Sequence, residues 1–393
     1  MNRRAGTPRR TPMKITGFET FLVRPRWLFL RVDTDEGISG WGEPIVEGRA
    51  EAVQAAVTTL LEHLIAADPL RTEEHWQVLA KSGFYRGGPV LSSALAGIDQ
   101  ALWDIKGRYH GVPVHELLGG PVRDRVRVYT WIDGDTPQDL AEDALAKVEA
   151  GFTAVKCNAS GALSPIPDAA EVHALVNRLS TLREAVGDGI DIALDFHGRL
   201  TTAATRRVLP LLEPLLPLFV EEPVLPEFSR DLRQVVESTS IPIAAGERLY
   251  SRWDFRDLLP TGIAVAQPDL SHAGGISEVR RIAALAETHD VTPAPHCPLG
   301  PIALAASVQI DFAVPNFLIQ EQELGIDDND GNELLDYLVD PSVFRFSDGY
   351  VPRPTGPGLG IEVDEEAVRY AAQTGHQWRS PTLRHTDGGR AEW

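Results

Sequence analysis

The chain has 393 residues, 43% of them apolar and 24% charged, which is material for two domains and gives no sign of broad disorder. Its 37 basic and 56 acidic side chains leave a formal charge of −19, which argues against nucleic acid or an anionic membrane as partner, since both need clustered Lys and Arg. Apolar stretches are broken well short of a membrane span, no apolar signal-peptide core follows Met1, and Cys157 and Cys297 lack metal-ligand spacing, so a cytoplasmic protein without a disulfide framework is expected.

Residues 1–12 hold four arginines and two prolines with little that is apolar, and read as a flexible basic tail. An α+β domain is expected over 13–125. From Lys14 to about Trp41 the runs Thr20–Val23 and Trp27–Val32, with a turn at Asp35-Glu36-Gly37, read as antiparallel strands, and helical spacing follows over Ala50–Ala66, Thr72–Lys81 and Leu91–Gly107. From 126 to 325 the pattern changes to strict strand–helix alternation. Strands are predicted at Val126–Trp131, Ala154–Asn158, Ile190–Phe196, Leu218–Glu222, Ile241–Gly246, Ile263–Pro268, Thr292–His296 and Phe317–Glu321. Thr136 is expected to cap the first intervening helix, with Asp139 three residues on and Gly151 at its end. The predicted fold is therefore α/β: a modified (β/α)7β TIM-type barrel with an α+β N-terminal capping domain. Residues 326–393 are expected to pack back on that domain and complete it.

Reactive groups of such a barrel gather at the strand C-termini. Asp195, Glu221 and Glu247 end three successive strands at a spacing of 26 residues, which brings three carboxylates together. They repel one another unless a cation lies between them, and an all-oxygen set suits Mg²⁺, or Mn²⁺, better than Zn²⁺. The beat continues through Asp269, His296 and Glu321, at spacings of 22, 27 and 25. Strand alternation puts His197 on the same side as Asp195, and Asp269 on the neighbouring strand can orient His296 as a general base. Lys156 and Asn158 end the second strand and are candidate substrate contacts, with Glu321 either a substrate hydrogen-bond partner or a support for one. A base on one side, an acid on the other and a metal to bind a carboxylate can together remove water from a hydroxy acid.

The residues then show a resemblance. Ala94-Leu-Ala-Gly-Ile-Asp-Gln-Ala-Leu-Trp-Asp-Ile-Lys-Gly-Arg108, the run to Gly120, Gly40-Trp-Gly-Glu-Pro44, Asp195-Phe-His-Gly-Arg199 and Ala294-Pro-His-Cys-Pro298 resemble the mandelate racemase branch of the enolase superfamily. Within it, the sugar-acid dehydratases are nearest. The resemblance implies Asp195, Glu221 and Glu247 as Mg²⁺ ligands, His197 as the acid at the 3-hydroxyl, His296 as the base at C2, Asp269 as its partner and Glu321 as a transition-state stabiliser. Racemases of the branch carry Lys-x-Lys on the second strand. Here Lys156-Cys157-Asn158 stands in its place, which favours elimination. The expected substrate is a small sugar acid, galactonate first, with gluconate, fuconate and arabinonate as alternatives, and a non-catalytic sugar-acid-binding barrel is the rival reading that the acid–base pair His197 and His296 counts against. Loops bearing Arg26, Trp27 and Glu47 are expected to close over it, since a barrel mouth alone cannot exclude water. The resemblance also implies a homo-oligomer, possibly an octamer.

Overall fold

The computed structural model describes residues 12–81, 83–161, 163–322, 334–385 and 387–392. Residues 1–11 of the expected tail and 323–325 of the expected barrel range lie outside the described residues. Three antiparallel strands come first, β1 (Ile15–Val23), β2 (Trp27–Thr34) and β3 (Ser39–Gly42), in that order across one sheet. Helices α1 (Ala50–Leu61), α2 (Thr72–Lys81), α3 (Pro89–His110) and α4 (Val114–Leu117) follow. The helix expected to reach Ala66 gives way after Leu61 to a single 3-10 turn, Glu62–Leu64, and Ala66 is left-handed at φ +66°.

Helix α3 explains why β3 is built of glycines. A Cβ on Gly40 would lie 2.2 Å from the Ala101 carbonyl, and one on Gly42 would lie 1.9 Å from that of Gly97. With the backbones so close, α3 side chains satisfy the free edge of β3. Asp104 accepts from Trp41 N–H at 3.0 Å and Gln100 accepts from Glu43 N–H at 2.8 Å.

The second sheet is the barrel. Its parallel strands are β4 (Arg125–Trp131), β5 (Ala154–Asn158), β6 (Asp191–Asp195), β7 (Phe219–Glu221), β8 (Ile243–Ala245), β9 (Val265–Ala266), β10 (Thr292–Pro293) and β11 (Gln320–Gln322). Seven helices alternate with them: α5 (Pro137–Glu149), α6 (Ala169–Val186), α7 (Thr202–Leu212), α8 (Leu232–Val236), α9 (Arg252–Leu258), α10 (Gly275–Glu287) and α11 (Pro301–Ala313). The strand order runs from β10 down to β4 and on to β11, and at the seam Leu318 N–H donates to the Pro293 carbonyl at 2.9 Å. All eight predicted strands are present. Several are shorter than expected because Pro242, Pro268 and Pro295 carry no N–H and cannot extend the ladder. Thr136 and Asp139 form the reciprocal cap of α5.

Inside the barrel lies a separate apolar layer of Tyr129, Ala154, Ala193, Phe219, Ala244, Val265, Ala294 and Ile319, one from each strand or its immediate extension. Side chains alternate along a strand, so the residue two places on faces inward one layer higher. Trp131, Lys156, Asp195, Glu221, His296 and Glu321 all stand at that offset. The apolar layer is thus the floor of a polar chamber at the strand C-termini.

The last described segment returns to the first sheet. Strand β12 (Tyr350–Pro352) pairs antiparallel with the start of β4. Arg369 of α12 (Glu365–Thr374) meets both oxygens of Glu19 on β1 at 2.8 Å, and Tyr337 Oη donates to the Arg24 carbonyl at 2.8 Å. No helix among the described residues is long and apolar enough to cross a membrane.

Candidate active site

Carboxylate oxygens of Asp195, Glu221 and Glu247 lie within 4.8 Å of one another at the ends of β6, β7 and β8. Asp195 and Glu221 are buried, and Gly246, at φ +129°, turns the chain after β8 so that Glu247 joins them. Asp195 Oδ2 and Glu247 Oε2 are buried and accept no hydrogen bond. Burial raises the Glu221 carboxyl well above its usual range, with Asp195, Glu321 and Glu247 adding to the rise and Lys156 opposing it. Three crowded carboxylates, two of them with a buried oxygen that accepts no hydrogen bond, are what a divalent cation would satisfy, so this residue set fits one.

Lys156 is fully buried beneath that cluster. Its Nζ is 2.9 and 3.0 Å from the two Glu221 oxygens, 2.7 Å from Glu321 Oε1 and 3.9 Å from Asp195 Oδ2. Burial disfavours its charge, yet Glu221 and Glu321 hold the ammonium well above its normal pKa. Glu321 also accepts from Trp131 Nε1–H at 2.7 Å and Cys297 N–H at 2.9 Å. Against the cost of burial, Lys156 and His296 keep its carboxyl below the usual value.

A histidine stands on each flank. On the β6 side, His197 Nε2 is 3.1 Å from Asp195 Oδ2, its ring stacks on Trp131 at 5.9 Å, and its backbone is left-handed at φ +48°. Such a backbone costs on the order of 1–3 kcal/mol in a non-glycine residue, and the bond from His197 N–H to Asp195 Oδ1 at 2.8 Å helps to hold it. On the β10 side, His296 Nδ1 bonds Asp269 Oδ2 at 2.8 Å and Nε2 lies 3.5 Å from Glu247 Oε2. Burial works against its protonation, but Glu247, Glu321 and Asp269 raise the imidazole well above its ordinary range.

Of the residues expected to bind substrate, Lys156 lies within the cluster and Glu47 and Arg26 lie at its rim. Arg26 Nη2 donates to the Pro298 carbonyl at 3.3 Å, just past His296, and is 3.9 Å from Glu47. Asn158 instead lines a neighbouring cavity of about 320 Å³ with Asp133, Ser160, Arg199 and Arg384. Trp27 requires correction. It is completely buried, packed on Phe29 and Tyr337, because this end of β2 is covered on both faces, Trp27 through Leu30 all being inaccessible.

Two residues escaped the strand-end rule. Glu43, fully buried, accepts from Gly300 N–H at 2.7 Å and Ala303 N–H at 2.9 Å, so the N-terminal domain caps α11 just after His296. Burial lifts its pKa to about 8 against those two donors. His272 stands beside Asp269 and His296, with ligand atoms of all three within 4.8 Å. Nothing in the sequence singled it out.

Fold and chamber together define an enzyme of the enolase superfamily, and the chain belongs to it: residues 2–119 match the mandelate racemase / muconate lactonizing enzyme N-terminal domain and 139–367 the enolase C-terminal domain-like family. Enzymes of that superfamily use a divalent metal. The chain is 52% identical over 382 residues to the D-galactonate dehydratase of Variovorax paradoxus (strain S110) and 51% identical to that of Verminephrobacter eiseniae (strain EF01-2), in each case over 97% of this chain and all of the relative. A crystal structure of an enolase from Agrobacterium radiobacter, bound to sodium and L-malate, superposes with a TM-score of 0.89 at 34% identity, covering 97% of this chain and all of that one.

Proposed function

We propose that the protein is a Mg²⁺-dependent hydro-lyase that converts D-galactonate to 2-dehydro-3-deoxy-D-galactonate. The observation that carries this reading is the pair of histidines on opposite flanks of one carboxylate cluster, each set against an aspartate: His197 Nε2 lies 3.1 Å from Asp195 Oδ2, and His296 Nδ1 is hydrogen-bonded to Asp269 Oδ2. Asp195, Glu221 and Glu247 would hold the ion, which when bound supplies positive charge to the substrate carboxylate and to the enediolate formed at C2.

The remaining chemistry belongs to the side chains. His296 Nε2 takes the C2 proton, and Asp269 keeps that nitrogen aimed inward by holding Nδ1. His197 gives a proton to the 3-hydroxyl, which leaves as water, and the resulting enol tautomerises to the 2-keto acid. Glu321, anchored by Trp131, Cys297 and Lys156, stabilises the charge that develops at the carboxylate end. Asn158 stands where a second amine would be needed to take the proton from the opposite face, which favours loss of water over inversion. Glu47 and Arg26 cover the mouth. A homo-oligomer is supported by Phe84 and Tyr85, adjacent aromatics that are 92% and 88% exposed.

With Mg²⁺ and a panel of aldonates, galactonate should turn over fastest and His296→Asn should abolish solvent deuterium exchange at C2. A clear preference for gluconate, fuconate or arabinonate would reject the substrate, and unchanged exchange would reject His296 as base.

A further inference from the structure

The turn that carries Asp269, between β9 and α10, is fastened to the N-terminal domain rather than to the barrel alone. Gln100 Nε2 donates to the Leu270 carbonyl at 3.0 Å and to Ser271 Oγ at 3.1 Å, and Trp76 Nε1 donates to the Gly274 carbonyl at 2.8 Å. Asp99 accepts from Ser277 N–H and Oγ–H at 2.8 and 2.6 Å. Gly275 permits the approach, since a Cβ there would lie 2.7 Å from that of Asp99.

His272 sits at the centre of this junction, only 8% exposed. Its Nδ1 is 3.1 Å from Ser93 Oγ on α3, and its Nε2 faces two carboxylates, Asp269 Oδ2 at 3.7 Å and Glu47 Oε2 at 3.8 Å. Both groups facing Nε2 are acceptors, and at 3.7 and 3.8 Å they meet it by charge and dipole rather than by a direct hydrogen bond. Asp269 Oδ2 is the same oxygen that holds His296.

We propose that His272 is a positioning residue: its Nε2–H stands between Glu47 and Asp269, keeps the two carboxylates from repelling, and so ties the rim of the site to the aspartate that aims His296. The inference rests on His296 being the base. It also gives Ser93, on a helix remote from the chemistry, a share in placing it.

The test compares His272→Gln, whose amide nitrogen can occupy the Nε2 position, with His272→Asn, which reaches only the Ser93 side. In the Mg²⁺-loaded enzyme acting on galactonate, His272→Asn should lower kcat and C2 exchange together by about tenfold or more, the scale of a sub-ångström misplacement. His272→Gln should recover at least about a third of the wild-type rate, with melting temperatures of the two variants alike. Equal rates in the two variants would overturn the proposal, because packing against Ser93 would then be all that matters. Amide hydrogen exchange over residues 44–49 needs no substrate and should speed up in His272→Asn but not in His272→Gln. If the wild type leaves C2 of every aldonate unexchanged while that protection difference appears, the reading of the reaction fails and the tie between Glu47 and Asp269 stands.

Discussion

Asp311, on α11, has both carboxylate oxygens buried without a hydrogen-bond partner, and burial lifts its pKa well above the usual range while Arg123 opposes the rise. The folded protein therefore keeps a proton that the unfolded chain releases above about pH 4, and stability falls as pH climbs from there toward the folded value. Asp311→Asn should remove that slope. Urea unfolding at about pH 8 should show the variant more stable by more than about 1.4 kcal/mol, the equivalent of a tenfold change in proton affinity, with little difference near pH 4. A gain that is the same at both pH values would show that this carboxyl is not protonated in the fold. Residues of this sort are illegible in a sequence. Asp311 sits in a helix where an acidic side chain usually faces water, and only the packing of Arg123 and α11 reveals otherwise. Asp195, Glu221 and His296 could be read because period-two alternation and strand spacing are local. His272 and Glu43 could not, since each acts on a partner across the junction of the two units, at a separation no local pattern encodes.

At the level of elements, the contact of β3 with α3 sets where the rim of the site stands. A Cβ on Gly97 would lie 2.5 Å from the Pro44 ring, and Pro44 is followed within three residues by Glu47. Gly97→Ala should therefore push the segment 43–47 off α3, costing roughly 1–3 kcal/mol of stability by overpacking and reducing turnover as well. Thermal melting and steady-state rates measured on the same preparation check this. A variant that loses stability but keeps full kcat/KM would separate the strand from the site. The glycines of Gly40-Trp-Gly42 were recognisable as a motif from the sequence, but the reason for them was not, because the backbone they accommodate lies more than 50 residues on. Barrel strands were placed within a few residues, and their ends were overextended where prolines and the turn toward the chamber stop the ladder.

For the whole molecule, a cation that binds only the folded form adds stability by mass action, about 2.7 kcal/mol at a hundredfold excess over its Kd. Wild type should melt higher with Mg²⁺ than with EDTA, by calorimetry. Glu247→Gln should lose most of that increment while melting no lower than wild type in EDTA, because one of three repelling carboxylates is gone. An undiminished Mg²⁺ increment would remove Glu247 from the ligand set. The sequence suggested only that the C-terminal segment packs on the first domain; neither its contact with β1 nor the pairing of β12 with β4 had a signature in such short runs.

Glu321 lies where the ring of strands closes. One oxygen is held from β4 by Trp131 and the other from the β10 side by Cys297, so the same side chain bridges the seam and faces the chamber. For protein engineers this makes the eighth strand a poor place to retune substrate preference. Glu321→Ala would remove both side-chain bonds across the seam together with the carboxylate proposed to act in the chamber, so a fall in activity could not say which had mattered.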